Sequence, residues 1–378
     1  MTNKWTNELL DSMRARGDPP ADELIGAVIQ SEGLEVFDQV MQHLVNNRDV
    51  IPESLPPMVH DFFEQTATLP DWADQEKIVR GEQVFNLYGP EMIMMLFFVA
   101  LPYAYATKKG SHVLAITGEL TRHVHRRIFR TAQFIMDVMQ AGGLGPQGRG
   151  IRSAQKVRLL HASIRYYIAH KPQWQSSWDP DWGLPINQED LAGTLMDFSV
   201  GVMKGLKRSK IVLAPEDAEA YLHCWKVVGH IMGIRPELIP ENVQDAYDLA
   251  NTIIQRQLGE SESGKVLVAD LIGFMQRFMP RPFRRFPATA IRYLSEDQIA
   301  DIIKVGPSDW TLSILKLQMF LFDIAEKLKF RYPGIQKHIR FLTWNLIDRV
   351  VIYEEGNQET YFQIPDHLRK HWRLSRSR

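Results

Sequence analysis

The sequence contains a single cysteine, Cys224, among its 378 residues. One cysteine excludes a disulfide within the chain and every cysteine-based zinc or iron–sulfur cluster built from this chain alone. With 45% hydrophobic and 24% charged residues, the composition is typical of a globular protein that an apolar core stabilises without cross-links. A reducing compartment agrees with this composition, and we expect a cytoplasmic protein.

Long apolar runs are also absent. The most apolar stretch, residues 92–106, has 15 residues and contains Pro102, whereas a helix that crosses a bilayer needs roughly 20 apolar residues. The N-terminus shows no apolar core of the length found in signal peptides. We therefore expect no transmembrane segment, although peripheral contact with a membrane stays open.

Strand-like alternation is nearly absent, and apolar residues recur at helical spacing, which predicts an all-α fold. The predicted helices span 34–46, 75–87, 90–107, 110–141, 153–170, 188–205, 215–233, 241–258, 262–278, 295–304, 309–329 and 334–350. A small C-terminal β-hairpin is predicted within 350–364. The expected organisation is an N-terminal helical extension over 1–74, a main domain over 75–330, and a C-terminal helix, hairpin and basic tail over 331–378.

Positive charge is concentrated in one part of the chain. Between Lys108 and Lys171 there are twelve basic and two acidic residues, a local charge of +10, although the whole chain carries −1. Such a segment favours an anionic partner, namely phosphate, a membrane surface or the carboxylates of a cofactor. A helical protein that binds nucleic acid or an anionic membrane through this 108–171 face is therefore an open alternative.

Two familiar kinds of site are disfavoured by their sequence context. The letters of residues 143–148 match a dinucleotide-binding fingerprint, but they follow a predicted helix, and the next acidic residue is Asp179. A ribose-binding acid is expected about 20 residues on, so these glycines predict a loop. The chain has neither a Glu-x-x-His pair nor a His-Glu-x-x-His motif, which disfavours a bare metal centre.

Two neighbouring helices place polar residues in rows. In the predicted helix 110–141, His123, Arg127 and Thr131 lie four residues apart on one face, with Arg130 on its flank. In the helix 153–170, His161 lies within an apolar stripe and is bracketed by two arginines. The stripe consists of Val157, Leu160, His161, Ile164 and Ile168, and the arginines are Arg158 and Arg165.

Two interpretations of His161 are open. A histidine on an apolar stripe is usually a core residue that bonds to a carbonyl oxygen, with neighbouring arginines at a solvated rim. A neutral imidazole in apolar surroundings, with cations nearby, is also what haem requires, because the iron takes a ring nitrogen and the propionates take Arg or Lys. The concentration of arginines in these two helices favours the second interpretation.

The sequence at these two rows resembles a known family. Residues 125–134, His-Arg-Arg-Ile-Phe-Arg-Thr-Ala-Gln-Phe, and 155–165, Gln-Lys-Val-Arg-Leu-Leu-His-Ala-Ser-Ile-Arg, are similar to the DUF2236 family. This family comprises the catalytic domains of rubber oxygenases (latex-clearing proteins) and MpaB-type oxygenases. The similarity continues at 185–191 and 223–234 and covers roughly 75–330.

The resemblance implies a globin-like helical core, with additional peripheral helices, that holds haem b. It makes His161 the proximal iron ligand, places Arg127 and Thr131 on the distal side, and has Arg165 support the haem or the helix of His161. Arg158, beside His161, is a further expected cofactor contact. Family members of known activity cleave carbon–carbon double bonds of polyisoprenoids with O2, so we expect a haem-dependent oxygenase acting on an apolar unsaturated small molecule.

The chain departs from the family pattern at two positions. Arg130 stands where the rubber enzymes have a distal lysine, and a guanidinium, which stays protonated, cannot ligate iron. Arg130 is therefore expected to act through hydrogen bonds or charge. The nearest acid before Arg127 is Glu119, eight residues away, so the sequence identifies no general base. A non-catalytic haem protein stays open, no nucleic acid partner is expected, and the sequence does not predict the oligomeric state.

Overall fold

The computed structural model describes residues 4–45, 55–117, 124–146 and 148–327. Within these residues the regular structure is helical, and the β pairing is confined to an isolated bridge between Thr107 and Leu258. The all-α prediction is confirmed. The predicted helix 334–350, the hairpin and the basic tail lie outside the described residues.

The first helix of the described residues begins at a capping residue that the sequence provides. Thr6 precedes α1 and its Oγ1 accepts a hydrogen bond from the Leu9 N–H at 3.2 Å, which satisfies one free donor of the first turn. The first helices are α1 (Asn7–Arg14), α2 (Pro19–Val45), α3 (Pro57–Gln65), α4 (Gln75–Met95), α5 (Leu101–Ala106), α6 (Lys108–Ile116), α7 (Val124–Met139), α8 (Arg149–His170) and α9 (Pro172–Gln175). A π-helical turn, Leu96–Ala100, joins α4 to α5.

The later helices follow the same rules. Ser261 caps α14 by accepting a hydrogen bond from the Gly264 N–H at 3.0 Å. These helices are α10 (Gln188–Met196), α11 (Val202–Arg208), α12 (Pro215–Ile231), α13 (Val243–Gln257), α14 (Glu262–Gln276), α15 (Phe286–Ser295), α16 (Asp297–Ile302) and α17 (Thr311–Lys327). A second π-helical turn, Asp197–Gly201, joins α10 to α11.

Two predicted helix boundaries are wrong, and one helical segment was not predicted. Helix α4 continues through Pro90, where a break was predicted, because residues 92–101 are all buried and their packing offsets the lost hydrogen bond. The predicted helix 110–141 is interrupted, since α6 ends at Ile116 and α7 begins at Val124. The helical residues from Pro19 onward were not predicted, whereas the predicted start at residue 34 agrees with a break in α2 at Gly33, whose φ is 83°. Pro19 fits the first turn of a helix.

One helical stretch, Gln75–Ala106, is long and apolar enough to cross a membrane by length and composition. However, 83% of its apolar window is buried inside the protein. Burial of this kind identifies a core helix, because a lipid-facing helix would leave that surface open. The side chains of Met92, Met94, Leu96 and Phe97 within this stretch are buried as well.

The chain divides into two compact units that interleave along the sequence. The first unit combines Met1–Gln83, Phe134–Met196 and Glu219–Arg256, and the second combines Val84–Gln133, Asp197–Ala218 and Gln257–Arg378. The three-part division expected from the sequence follows the chain in order, and it stays a prediction.

The first unit is built around the packing of α2 on α8. Phe37 of α2 is fully buried, and its ring centroid lies 5.3 Å from that of Tyr167 on α8. Leu159 and Ala162 of α8 belong to the same apolar cluster. This packing fixes α8, which carries His161.

The second unit has an aromatic core around the first π-helical turn. All five side chains of Leu96–Ala100 are buried, and the Phe98 ring lies edge-on to Phe286 of α15 at 6.2 Å. Phe129 of α7 makes a similar contact with Phe274 of α14 at 5.6 Å. These contacts fix the first half of α7, which carries Arg127.

Candidate functional site

His161 lies in the middle of α8, between the buried residues Leu159 and Ala162. Its Nδ1 is buried and has no hydrogen-bond partner. A core histidine normally bonds a carbonyl oxygen through this atom, and a buried polar atom without a partner costs about 1–3 kcal/mol. The geometry therefore removes the simplest structural explanation for this side chain.

Burial and, to a smaller extent, the positive charge of Arg165 together lower the pKa of His161 to about 3. The imidazole is consequently neutral at physiological pH. A neutral imidazole is the form that binds a metal, because protonation occupies the ring nitrogen that would donate to it. His161 could therefore hold the iron of a haem, because its Nδ1 is unpartnered among the described residues and its imidazole is neutral.

Arg158 is held by a buried ion pair within the first unit. Its Nε and Nη2 donate to the two carboxylate oxygens of Asp18 at 2.5 and 2.7 Å, and its Nη1 donates to the Ile231 carbonyl at 3.1 Å. Gly233, with φ of 76°, allows this approach, because a Cβ there would lie 2.7 Å from Arg158 Nε. These contacts give Arg158 a structural role, and its predicted contact with a cofactor stays a prediction.

Only some of the Arg165 guanidinium nitrogens form hydrogen bonds within the described residues. Its Nε donates to Asp22 at 2.7 Å and its Nη1 to the Ile186 carbonyl at 2.9 Å, while Nη2 is buried without a hydrogen-bond partner. Burial raises the pKa of Asp22, and the charge of Arg165 opposes this. Arg165 therefore both anchors the start of α2 and keeps a donor available near His161.

The other three predicted site residues lie on α7, in the second unit. Arg127 Nη1 is buried without a hydrogen-bond partner, and the guanidinium lies over the Tyr105 ring at 5.6 Å. Thr131 donates its hydroxyl to the Arg127 carbonyl at 3.0 Å. Arg130 is half-buried on the same helix and contacts neighbouring groups. The structure thus groups Arg127, Thr131 and Tyr105 in one unit.

Tyr105 was not considered from the sequence. Its side chain is buried, and burial raises the pKa of its hydroxyl, while the charge of Arg127 lowers it. The aromatic face holds the cation by a cation–π contact. The hydroxyl and the ring together restrict the position of the Arg127 guanidinium.

Asp197 is a second residue that the sequence did not single out. It is the first residue of the π-helical turn Asp197–Gly201, and burial raises its pKa well above the ordinary value, with no opposing cation or hydrogen bond among the described residues. Short π-helical turns often occur at functional sites. Helical periodicity does not reveal this position, because a π-helical turn adds one residue to the pattern.

The glycine-rich loop is occupied by the protein's own carboxylate. The Gly142 N–H donates to Glu82 Oε1 at 3.0 Å, and the N–H groups of Gly143 and Leu144 also lower the pKa of Glu82, against the larger effect of burial. Successive N–H groups form an anion-binding concavity of this type. The loop is therefore explained by Glu82, without a nucleotide.

The described residues contain no group of three or more His, Cys, Asp and Glu side chains that could hold a metal ion. A haem differs from a bare ion in this respect, because the porphyrin supplies four nitrogen ligands and the protein can supply a single one. The single neutral imidazole of His161 is compatible with that arrangement.

The fold is shared with a solved helical protein. It matches the structure titled "Latex Clearing Protein LCP in the closed state" with a TM-score of 0.77 and 23% identity, covering 93% of this chain and 95% of that one. The rubber oxygenase of Streptomyces sp. (strain K30) is 27% identical over 295 residues, which are 76% of this chain and 70% of the relative.

The family follows from a third comparison. Residues 87–319 match the model of the family described as "ER-bound oxygenase mpaB/B'/Rubber oxygenase, catalytic domain". The chain belongs to this family, which confirms the resemblance inferred from the motifs on α7 and α8. It is accordingly an oxygenase by class.

Proposed function

We propose that the chain is a haem b-dependent oxygenase that cleaves carbon–carbon double bonds of an isoprenoid or another apolar unsaturated molecule. Family membership supports the oxygenase class, and the rubber oxygenase relative supports an isoprenoid substrate. The observation that carries the cofactor assignment is the neutral imidazole of His161, whose buried Nδ1 has no hydrogen-bond partner among the described residues.

When bound, haem b would supply the iron that activates O2. His161 would hold the iron through one ring nitrogen, and its low pKa keeps that nitrogen available throughout the physiological pH range. Arg165, with its unpartnered Nη2, is better suited to a propionate than Arg158, whose guanidinium bonds Asp18 and Ile231.

The residues of α7 would act on the substrate oxygen atoms. Arg127 would donate a hydrogen bond from its unpartnered Nη1 to the oxygen atom on which negative charge develops during the reaction. Such a hydrogen bond stabilises the transition state most strongly where water is excluded. Thr131 keeps its oxygen lone pairs, since its proton is donated to the Arg127 carbonyl. Arg130 would contribute positive charge but no iron ligand.

The reaction balances without a further reductant. One C=C bond and one O2 molecule are consumed, and two carbonyl groups form, each with one atom of the O2. Incubation with a small isoprenoid such as squalene under 18O2 tests this directly, because each cleaved carbonyl should carry one 18O atom before exchange with water.

The alternative of a basic binding face is weakened by the contacts of the arginines. Arg158 and Arg165 are buried and paired with carboxylates, and Arg149 lies 3.7 Å from Asp137. These residues therefore do not form a freely exposed cationic surface. A non-catalytic haem protein would share the spectrum of the oxygenase and differ in showing no oxygen uptake.

The cofactor assignment is tested by absorption spectra of purified protein, oxidised and dithionite-reduced. We expect a Soret band in the wild type and its loss, together with haem content, in His161→Ala. His170→Ala is the matched control, because His170 is exposed at the end of the same helix. A His161→Ala protein that keeps the wild-type haem content and spectrum would contradict the assignment.

A further inference from the structure

Helix α17 is apolar on two sides. Leu315 and Met319 face the interior and are each 6% exposed. On the other side, Leu317 is 55% and Phe320 59% exposed, and Leu321 and Ile324 are exposed as well. Spacings of three, four and seven residues place these four side chains on one face, which we call the outer stripe.

Aromatic side chains extend this surface at the start of α17. Trp310 is 55% exposed, and its ring lies 5.6 Å from that of Phe283. Phe283 ends a short turn, Arg281–Phe283, that precedes α15. The pair of rings therefore brings the segment 281–285 against the beginning of α17.

The segment 281–285, which we call the basic loop, is strongly cationic. Arg281, Arg284 and Arg285 are exposed, and of these Arg285 lies 3.6 Å from Asp309. No acidic residue occurs between Asp270 and Glu296. The basic loop is thus a positively charged border beside an exposed apolar stripe.

We propose that the outer stripe and the basic loop form a docking surface for an anionic lipid surface. An exposed apolar stripe on a helix, flanked by arginines, is the composition of segments that lie in the plane of a membrane interface. Exposed tryptophan favours the headgroup level of that interface. The arginines would bind lipid phosphates, and the outer stripe would enter the boundary with the acyl chains.

Charge selects this occupant over others. An uncharged apolar partner would cover the outer stripe but would add no negative charge beside Arg281 and Arg284, whereas an anionic bilayer offers apolar chains and phosphates at adjacent depths. The proposal is independent of the oxygenase reaction, because lipid binding can be measured without turnover. Its failure would accordingly leave the proposed function intact.

The test is co-sedimentation of the full-length protein with phosphatidylcholine vesicles, prepared with and without phosphatidylglycerol, at low and high ionic strength. We expect binding to anionic vesicles that is at least about tenfold tighter than to neutral ones and that weakens with salt. Phe320→Glu and Leu317→Glu should each lower the affinity for anionic vesicles about tenfold or more. The double variant Arg281→Glu/Arg284→Glu should remove the preference for anionic lipid.

Val212→Glu is the matched control, because Val212 is an exposed apolar residue outside the surface, 72% accessible. It should bind vesicles as the wild type does, and circular dichroism should show that every variant is folded. Failure of the wild type to bind either vesicle, or wild-type binding by Phe320→Glu, would overturn the proposal. A dimer that forms without lipid and that Phe320→Glu dissociates would also overturn it, because the occupant would then be a second copy of the chain. Vesicle binding that appears only after removal of residues 328–378 would overturn it too, because that segment would then be the occupant.

Discussion

Arginines on α8 and on α7 differ in what they contact, although the sequence places them in similar rows. On α8, Arg158 and Arg165 bond Asp18 and Asp22. On α7, Arg127 has an aromatic ring beside it and a buried Nη1 without a hydrogen-bond partner. The ion pairs stabilise the fold, because they compensate the charges of Arg158 and Arg165 within the protein, although Arg165 also keeps its Nη2 without a hydrogen-bond partner. Arg127 is suited to binding a ligand, because its buried Nη1 gains a hydrogen-bond partner only when a ligand is bound.

The largest expected effect comes from breaking the compensated pair. Asp18→Asn leaves the buried Arg158 without its carboxylate, and we expect the free energy of unfolding to fall by about 3–5 kcal/mol. Urea denaturation measures this. The double variant Asp18→Asn/Arg158→Met should recover much of the loss, since it removes both charges. A single variant as stable as the wild type would show that the pair is not structural.

Arg127→Met should have the opposite profile. Methionine keeps the length of the side chain and removes a buried donor, so stability should stay the same or rise, whereas turnover should fall about 10²–10³-fold. Oxygen uptake and thermal unfolding, measured on the same preparation, separate the two effects. Equal content of the proposed haem in both proteins is the control. A variant that unfolds easily and keeps its activity would reverse our assignment of the two classes of arginine.

Tyr105→Phe sharpens the comparison on the α7 side. The ring that contacts Arg127 is kept, and the hydroxyl is lost, so the guanidinium is held less firmly. We expect kcat to fall about two- to tenfold with an unchanged KM, which corresponds to the net contribution of one hydrogen bond. Tyr105→Leu, which also removes the ring, should lower kcat further. If both variants match the wild type, Tyr105 does not position Arg127.

The smallest expected effect is on stability and concerns the buried carboxyl group of Asp197. Because burial raises the pKa of Asp197 above its unfolded value, the folded state keeps the proton longer, and stability falls as pH rises above the unfolded pKa. Asp197→Asn should therefore raise the melting temperature at neutral pH, and the difference should vanish in acid. Asp297→Asn, at an exposed aspartate paired with Arg292, is the control and should change little. A neutral-pH loss in Asp197→Asn would mean that the carboxylate has a partner.

The sequence predicted the helical class because periodicity depends on local spacing alone, and it placed His161 in an apolar stripe for the same reason. The sequence could not distinguish the ion-paired arginines of α8 from Arg127 of α7. Asp18 lies 140 residues from Arg158, and only the packing of α2 on α8 makes them neighbours. Helix α4 passes through Pro90 for a comparable reason, since the packing of the residues that follow outweighs a local preference.

The Gly142–Leu144 loop limits changes in the number of residues between Thr131 on α7 and His161 on α8. A Cβ on Gly148 would lie 2.1 Å from the Gly143 carbonyl oxygen, and one on Gly150 would lie 2.7 Å from Val138 Cα. The connection between the end of α7 and the beginning of α8 therefore has no room for a side chain at Gly148 or Gly150, and Glu82 binds it through the Gly142 N–H. An insertion here would displace Glu82 from the amides and rotate α8 about its axis. Natural variation in chain length should accordingly spare this connection and accumulate elsewhere, so that Thr131 and His161 stay thirty positions apart.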